Sequence, residues 1–260
     1  MTDQPVPIKP AATILLVRDT PSFEVLMVKR HHQIDFASGA LVFPGGKTHQ
    51  GDHDPAWAQH AAGWDDTPEE ERALRVAAIR ESYEEAGVLI ARDAAGGIFH
   101  GDERMGPARE AVAKDERSFI DLVAELGVKI DLTALTVFAR WITPAMMHKR
   151  FDTWFYVALA NSEQLAVCDG WETVDAEWIA PGEAIRLAAA GERTVIFPTR
   201  MNLQLLAEAS SGDDAIERSL ARELVVVLPV VEKRDDGAFL VIPNNAGYGD
   251  VAEPMAAIAR

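Results

Sequence analysis

Three glutamates and an arginine lie close together in the segment "AIRESYEEAGV", residues 78–88. On an α-helix, Glu81, Glu84 and Glu85 fall within about 100° of arc, so their carboxylates can converge on one face. Like charges at this spacing repel one another, and the flanking apolar side chains cannot neutralise them. A hard divalent cation would neutralise them, because Mg²⁺ prefers oxygen ligands and keeps positions open for substrate phosphates. The alternative is a solvated acidic face of a helix.

The preceding sequence predicts a strand, a glycine turn, a loop and then this helix. The segment "GALVFPGG", residues 39–46, is typical of a short strand stopped by a proline and two glycines. After the loop, Thr67 is predicted to be the N-cap of a helix over about residues 68–86, with Gly87 as its C-cap. The acidic face is thereby predicted to stand on a rigid element beside a glycine turn.

The rest of the chain alternates β-rich and amphipathic segments, which predicts an α/β fold. Strands are predicted at 12–19, 23–30, 136–143, 152–160 and 176–180, with two more in the tail. Helices are predicted over about 107–127, from Pro181 onward, and over 199–210. We expect one α/β domain at 8–211 and a β-rich C-terminal extension at 212–260, packed on the same domain.

Composition limits the possible functions. The chain has 260 residues, a net charge of −16 and a pI near 4.8, which argue against sequence-independent binding to nucleic acids or anionic membranes. The single cysteine, Cys168, excludes an intramolecular disulfide and fits a reducing cytoplasm. No apolar run approaches the roughly 20 residues that cross a bilayer, and no signal peptide is evident. We expect a cytoplasmic protein with a small-molecule partner, and a homodimer is left open.

The acidic segment also resembles a known family signature. "RESYEEAGV" from Arg80, preceded by "FPGGKTHQGD", is similar to the Nudix hydrolase motif: Gly, five residues, Glu, seven residues, then Arg-Glu-hydrophobic-x-Glu-Glu-x-Gly-hydrophobic. Asp52 stands at the position of the first Glu, residues 53–79 stand where the motif has seven, and Ser82 replaces a hydrophobic residue. This insertion, with "KRHHQIDFASGALVFPGG" and "WITPAMMHKRFDTWFYVALA", resembles the acyl-CoA diphosphatase branch over about residues 10–207.

The resemblance implies a fold and a metal site. The fold would be a Nudix-type α/β/α sandwich around a mixed sheet, with helical insertions. Glu81, Glu84 and Glu85, together with the backbone carbonyl of Gly46, would hold Mg²⁺ or Mn²⁺. Arg80 would orient these carboxylates.

The resemblance also implies a reaction. A metal-activated water would attack one phosphorus of a P–O–P bond, with Glu81 or Glu172 as the general base and Gly45 and Gly46 close to the pyrophosphate. The favoured substrate is CoA or acyl-CoA, giving 3′,5′-ADP and (acyl-)phosphopantetheine. The alternatives are an ADP-ribose, NADH or dinucleoside-polyphosphate pyrophosphatase, and a non-catalytic Nudix-like nucleotide sensor.

Other residues are candidates for substrate contacts. Arg30, in the basic stretch 29–32, and Arg150 could bind a substrate phosphate. The alternatives are an ordinary solvated strand end for Arg30 and an ion pair with Asp152 for Arg150.

Aromatic and histidine side chains are frequent in the insertion and just before it. We expect Trp57 and Trp64 to pack against the fold, with stacking on an adenine as the alternative. His49, His53 and His60 lack the ordered spacing of metal ligands and are expected on the surface.

Overall fold

The computed structural model describes residues 6–30, 40–160 and 173–258. Glu172, Cys168 and residues 31 and 32 of the basic stretch lie outside these ranges. Of Arg30, only the backbone is described.

The described residues form three sheets and the helices that cover them. The strands are β1 (Ile8–Arg18), β2 (Glu24–Arg30), β3 (Leu41–Val42), β4 (Gly45–Lys47), β5 (Ala61–Ala62), β6 (Ala91–Arg92), β7 (Lys129–Asp131), β8 (Thr136–Ile142), β9 (Arg150–Leu159), β10 (Thr173–Ile179), β11 (Val226–Val227), β12 (Val230–Arg234), β13 (Gly237–Val241) and β14 (Ala252–Pro254). The helices are α1 (Trp57–His60), α2 (Glu69–Ala86), α3 (Met105–Ala113), α4 (Phe119–Leu126), α5 (Pro181–Ala189), α6 (Phe197–Leu206), α7 (Gly212–Ala221) and α8 (Met255–Ile258), with 3₁₀ turns at Gln50–His53 and Leu132–Ala134.

The largest sheet is mixed and has the strand order β10-β2-β1-β9-β8-β11. Strands β1 and β9 run parallel from the pair Ile8–Arg150 to the pair Val17–Leu159, and β8 and β11 are also parallel, whereas the other neighbours are antiparallel. The short strands β3 and β4 add to β2 and β1 at one end of the sheet. Two smaller sheets have the orders β5-β7-β6 and β12-β13-β14.

Apolar side chains cover both faces of this sheet. On one face, the inner side of α2, including Leu74, Ile79 and Tyr83, joins the alternate β1 residues Ile14 and Leu16 in a buried cluster. On the other face, a second buried cluster is formed by β-strand residues and by the helices α5, α6 and α7. Helices on both faces of a mixed sheet make the predicted α/β/α arrangement, and the prediction of the fold is confirmed.

Helix α2 ends where the sequence predicts but begins differently. Gly87 takes a left-handed conformation, with φ of 73°, and its N–H donates to carbonyls of the last turn. The predicted N-cap, Thr67, is wrong, because its hydroxyl donates to the carbonyl of Gly63 at 2.8 Å and Pro68 occupies the cap position before Glu69. Thr67 therefore stabilises the preceding loop rather than the first turn of the helix.

Two other predicted elements are divided. The single helix predicted over 107–127 is wrong: α3 and α4 are separated by a turn in which Asp115 has a positive φ of 56°. A left-handed residue cannot continue a right-handed helix, so the chain turns there. The strand predicted at 39–46 is present as the two pieces β3 and β4.

The C-terminal segment packs on the main sheet. Strand β11 pairs with β8, and Ala215, Val227, Leu240, Ile242 and Ala246 belong to the second buried cluster. Helix α7 was not predicted from the sequence. None of the helices in the described ranges is both long and apolar enough to span a membrane.

Candidate active site

The glycine turn of β4 lies directly against two glutamates of α2. A Cβ atom added to Gly46 would lie 2.2 Å from Oε1 of Glu81, so only glycine leaves room for that carboxylate. A Cβ atom on Gly45 would meet the carbonyl oxygen of Ala12 at 2.6 Å. The backbone N–H of Gly45 donates to Oε2 of Glu85 at 3.0 Å. Both glycines thus allow the turn to approach the acidic face of α2.

Arg80 connects the acidic face to the insertion. Its Nη1 donates to Oε1 of Glu81 and to Oε2 of Glu84, each at 2.9 Å. Its Nε and Nη2 donate to the two carboxylate oxygens of Asp52 at 2.9 and 3.1 Å, and Nη2 also donates to the carbonyl of Lys47 at 3.0 Å. All five N–H donors of the guanidinium are therefore used within the protein.

This cluster is buried and carries excess negative charge. Arg80 is 4% exposed and Asp52 1% exposed, and Glu81 and Glu85 are also buried. Burial raises the pKa of Glu84 to about 8, although the charge of Arg80 acts in the opposite direction. Burial alone would lower the pKa of Arg80, but the adjacent carboxylates raise it above its ordinary value. The guanidinium stays charged, and burial favours the protonated form of Glu84.

The residue types at this cluster fit a hard divalent cation. Carboxylates and a backbone carbonyl are the ligands that such a cation prefers, and the absence of a side chain at Gly46 lets the Glu81 carboxylate lie against the glycine turn. Across residues 6–30, 40–160 and 173–258, no three candidate ligand side chains are yet arranged around one point. Glu81 and Glu84 are turned toward Arg80 and Glu85 toward Gly45, so the structure brings the carboxylates together without arranging them around a common centre.

The insertion packs on the fold through its tryptophans. Trp57 is 1% exposed, its indole N–H donates to the carbonyl of Gly51 at 2.9 Å, and its ring lies 5.5 Å from that of Phe119. Trp64 is partly buried, and the guanidinium of Arg72 lies 4.9 Å from its ring centre. Both side chains have the expected packing role, and the buried Trp57 cannot stack on an adenine.

A cavity of about 200 Å³ lies beside Arg80 and Glu84. One wall is formed by the residues that lead into the insertion, including His49, and another by the turn between α3 and α4, including Arg117 and Ser118. Burial lowers the pKa of His49, which favours its neutral form. The sequence did not predict this second wall, because its residues carry no motif and lie far along the chain from the acidic segment.

The predicted phosphate-binding arginines lie at the end of the sheet where the glycine turn lies. Arg150 begins β9 opposite Ile8, and its Nε donates to the carbonyl of Thr143 at 3.0 Å. The alternative pairing of Arg150 with Asp152 is wrong, because Asp152 accepts two hydrogen bonds from Arg140 at 2.9 and 2.6 Å.

Arg30 ends β2 opposite Thr173, the first residue of β10. This pairing also lies at the end of the sheet where β3 adds to β2.

Comparison with known proteins agrees with this geometry. A family model described as the NUDT19 Nudix domain matches residues 58–204. Acyl-coenzyme A diphosphatase NUDT19 of Homo sapiens is 26% identical, over 87% of this chain and 72% of its own length. The protein of the same name from Gallus gallus is 26% identical, over 92% of this chain and 79% of its own length.

A solved structure shows the same fold. The crystal structure of a NUDIX hydrolase from Alicyclobacillus acidocaldarius has a TM-score of 0.72 and 26% sequence identity, and the match covers 82% of this chain and 96% of that one. The domain model spans more than half of the chain and includes the acidic helix. The chain therefore belongs to the Nudix hydrolases, with a Nudix domain of the NUDT19 type, and the predictions of the family and of an enzyme are confirmed.

Proposed function

We propose that this chain hydrolyses the diphosphate bond of CoA or acyl-CoA, releasing 3′,5′-ADP and (acyl-)phosphopantetheine. The divalent cation is Mg²⁺ or Mn²⁺, and its ligands are Glu81, Glu84, Glu85 and the carbonyl of Gly46. The working compartment is the cytoplasm, which the single cysteine, Cys168, favours.

One observation carries the proposal: a buried group of carboxylates lies directly against a glycine turn. Glu81 fills the space over Gly46, and Glu85 accepts from Gly45. A diphosphate brings its own negative charge, so these carboxylates can receive it only together with cations. The relatives named acyl-coenzyme A diphosphatase match 87% and 92% of this chain, which supports CoA esters as the substrate class.

The residues of the chain have separate tasks in the reaction. A divalent cation, once bound, neutralises charge on the diphosphate and activates water. Arg80 positions Glu81 and Glu84, and it has no N–H donor left for the substrate. Glu85 is fixed beneath the glycine turn. The proton of the attacking water passes to a carboxylate, for which Glu81 and Glu172 are the candidates.

A substrate panel tests the proposal. The purified chain is assayed with CoA, acetyl-CoA, palmitoyl-CoA, ADP-ribose, NADH and diadenosine tetraphosphate, each with Mg²⁺ or Mn²⁺, and products are identified by mass spectrometry. We expect 3′,5′-ADP from CoA esters, with kcat/KM at least about tenfold above that for ADP-ribose. Hydrolysis of ADP-ribose or NADH alone would show that the chain is a diphosphatase with a substrate other than CoA. Binding without turnover of any compound would indicate a nucleotide sensor.

The two arginines at the same end of the sheet are proposed to bind the 3′-phosphate, which distinguishes CoA from NADH. In the variant Arg30→Ala/Arg150→Ala, kcat/KM should fall at least about tenfold more for CoA than for 3′-dephospho-CoA. Arg186→Ala is a matched control, because that exposed arginine pairs with Glu183 on α5. Equal losses of kcat/KM on both substrates would show that these arginines bind the diphosphate or stabilise the fold.

A further inference from the structure

An apolar row of side chains is exposed along the segment that follows α7. Leu224, Val226 and Leu228 are 42%, 39% and 40% exposed, whereas Val227 between them is 1% exposed. This alternation is that of an extended strand, whose successive side chains point to opposite faces. The odd-numbered residues Val225 and Val227 pack into the second buried cluster, so the even-numbered row faces solvent.

Val226, the middle residue of the row, lies on β11, the last strand of the main sheet, and Leu224 and Leu228 flank that strand. Strand β11 pairs with β8 through Val226–Arg140 and Val227–Trp141, and within the described ranges no strand pairs with its other edge. A groove of about 500 Å³ lies nearby, lined by the start of β8 and by Leu220 and Leu224. An exposed apolar edge of this kind is a template for pairing with another strand.

The sequence of the row indicates which strand fits it. Residues 224–228 are "LVVVL", which has the same order in both directions. When two copies of this strand pair antiparallel about a two-fold axis at Val226, Leu224 of one copy faces Leu228 of the other. Both sets of even-numbered side chains then lie on the same face of the joined sheet, as an isologous interface requires.

Charge and area also favour a second copy of this chain. Two copies repel each other in general, since each carries a net charge of −16, but residues 224–231 contain no charged side chain. Leu220, which lines the same groove as Leu224, is also exposed, as are Val230 and Val231, which follow the row in the sequence. Together the six side chains expose roughly 500 Å² per copy, so that two copies would bury about 1,000 Å², the lower limit of a specific interface.

We propose that the chain forms a two-fold dimer in which β11 pairs antiparallel with β11 of a second copy. The two main sheets then join into one continuous sheet across the interface. The glycine turn and Arg80 belong to other strands and elements than this edge, so the dimer is independent of the reaction proposed above.

Oligomeric state tests the proposal directly. Sedimentation velocity over a range of about 1 to 100 µM should show a dimer for the unmodified chain. Val226→Lys places two lysines against each other at the axis and should raise the dissociation constant at least about 100-fold. Ile98→Lys is the matched control, because Ile98 is 63% exposed and lies far along the chain. A monomer at every concentration, or a dimer unaffected by Val226→Lys, overturns the proposal.

Cross-linking tests the register. In a Cys168→Ser background, which removes the single native cysteine, Val226→Cys places two thiols opposite each other and should give a disulfide-linked dimer on mild oxidation. Leu224→Cys is the control, because two copies of that position would be about 13 Å apart. Efficient cross-linking of Leu224→Cys, or none of Val226→Cys, contradicts the antiparallel pairing centred on Val226.

Discussion

At the scale of single residues, Arg80 determines where the acidic side chains lie. Its guanidinium is buried and contacts Glu81, Glu84 and Asp52, so three carboxyl groups share one positive charge. Carboxylates buried this close together repel one another, and a proton or a cation reduces that repulsion.

Glu85→Gln should reduce kcat at least about 100-fold, equivalent to about 2.7 kcal/mol of transition-state stabilisation. The amide keeps the volume of the side chain and can still accept from the N–H of Gly45, but it loses the negative charge that the proposed metal site requires. Turnover of CoA at saturating Mg²⁺ measures the effect. Glu70→Gln, in the exposed first turn of the same helix, should retain normal turnover. If the Glu85→Gln variant folds and has an unchanged kcat, Glu85 is not a ligand of the metal.

The raised pKa of Glu84 should make the metal-free protein less stable as the pH rises. Between pH 4.5 and about 8 the folded chain holds a proton on Glu84 that the unfolded chain has released, so the free energy of unfolding decreases with pH over this window. In EDTA, the melting temperature should decrease more between pH 6 and pH 8.5 for the unmodified protein than for Glu84→Gln. Equal decreases in the two proteins would mean that Glu84 is ionised throughout.

At the scale of elements, sequence signals located α2 better than the segments around it. Local signals such as Gly87 fix the end of a helix, and the spacing of Glu81, Glu84 and Glu85 is a property of the helix alone. The structure of the insertion depends on partners far along the chain, as in the packing of Trp57 on Phe119, and no local pattern reveals such partners. Helix α7 was missed although it has a local signal, since the side chain of its N-cap, Ser211, accepts a hydrogen bond from the N–H of Asp214.

Asp52 connects the 3₁₀ turn Gln50–His53 to α2, and its substitution should destabilise both elements. The motif places an acid at this position, but only the structure shows that it accepts two hydrogen bonds from Arg80 and one from the N–H of His49. Asp52→Asn should lower the free energy of unfolding by about 3 kcal/mol, because a buried ion pair loses one charge. Urea unfolding measures this loss. Asp66→Asn, an exposed change in the same insertion, should have an effect below about 0.5 kcal/mol.

At the scale of the whole molecule, the C-terminal segment completes the second buried cluster. A chain ending at Ser211 would lose Ala215, Val227, Leu240 and Ile242 from this cluster and would uncover β8. Such a loss of buried apolar area exceeds the usual stability margin of a domain, so we expect an insoluble or unfolded product. Thermal melting checks this, and a chain ending at Asp250 should fold, because it keeps all four residues. A stable, active chain ending at Ser211 would establish an independent Nudix domain there.

The contact between Arg80 and Asp52 also affects how the segment between the glycine turn and α2 can change in length during evolution. It joins the two ends of the long segment that separates the glycine turn from the acidic helix. In terms of chain entropy, closing a loop of about 27 residues instead of seven costs only about 1 kcal/mol, because the cost rises with the logarithm of loop length. Evolution could therefore lengthen this segment in small steps and reshape the wall of the cavity, while the same ion pair kept the glutamates in place.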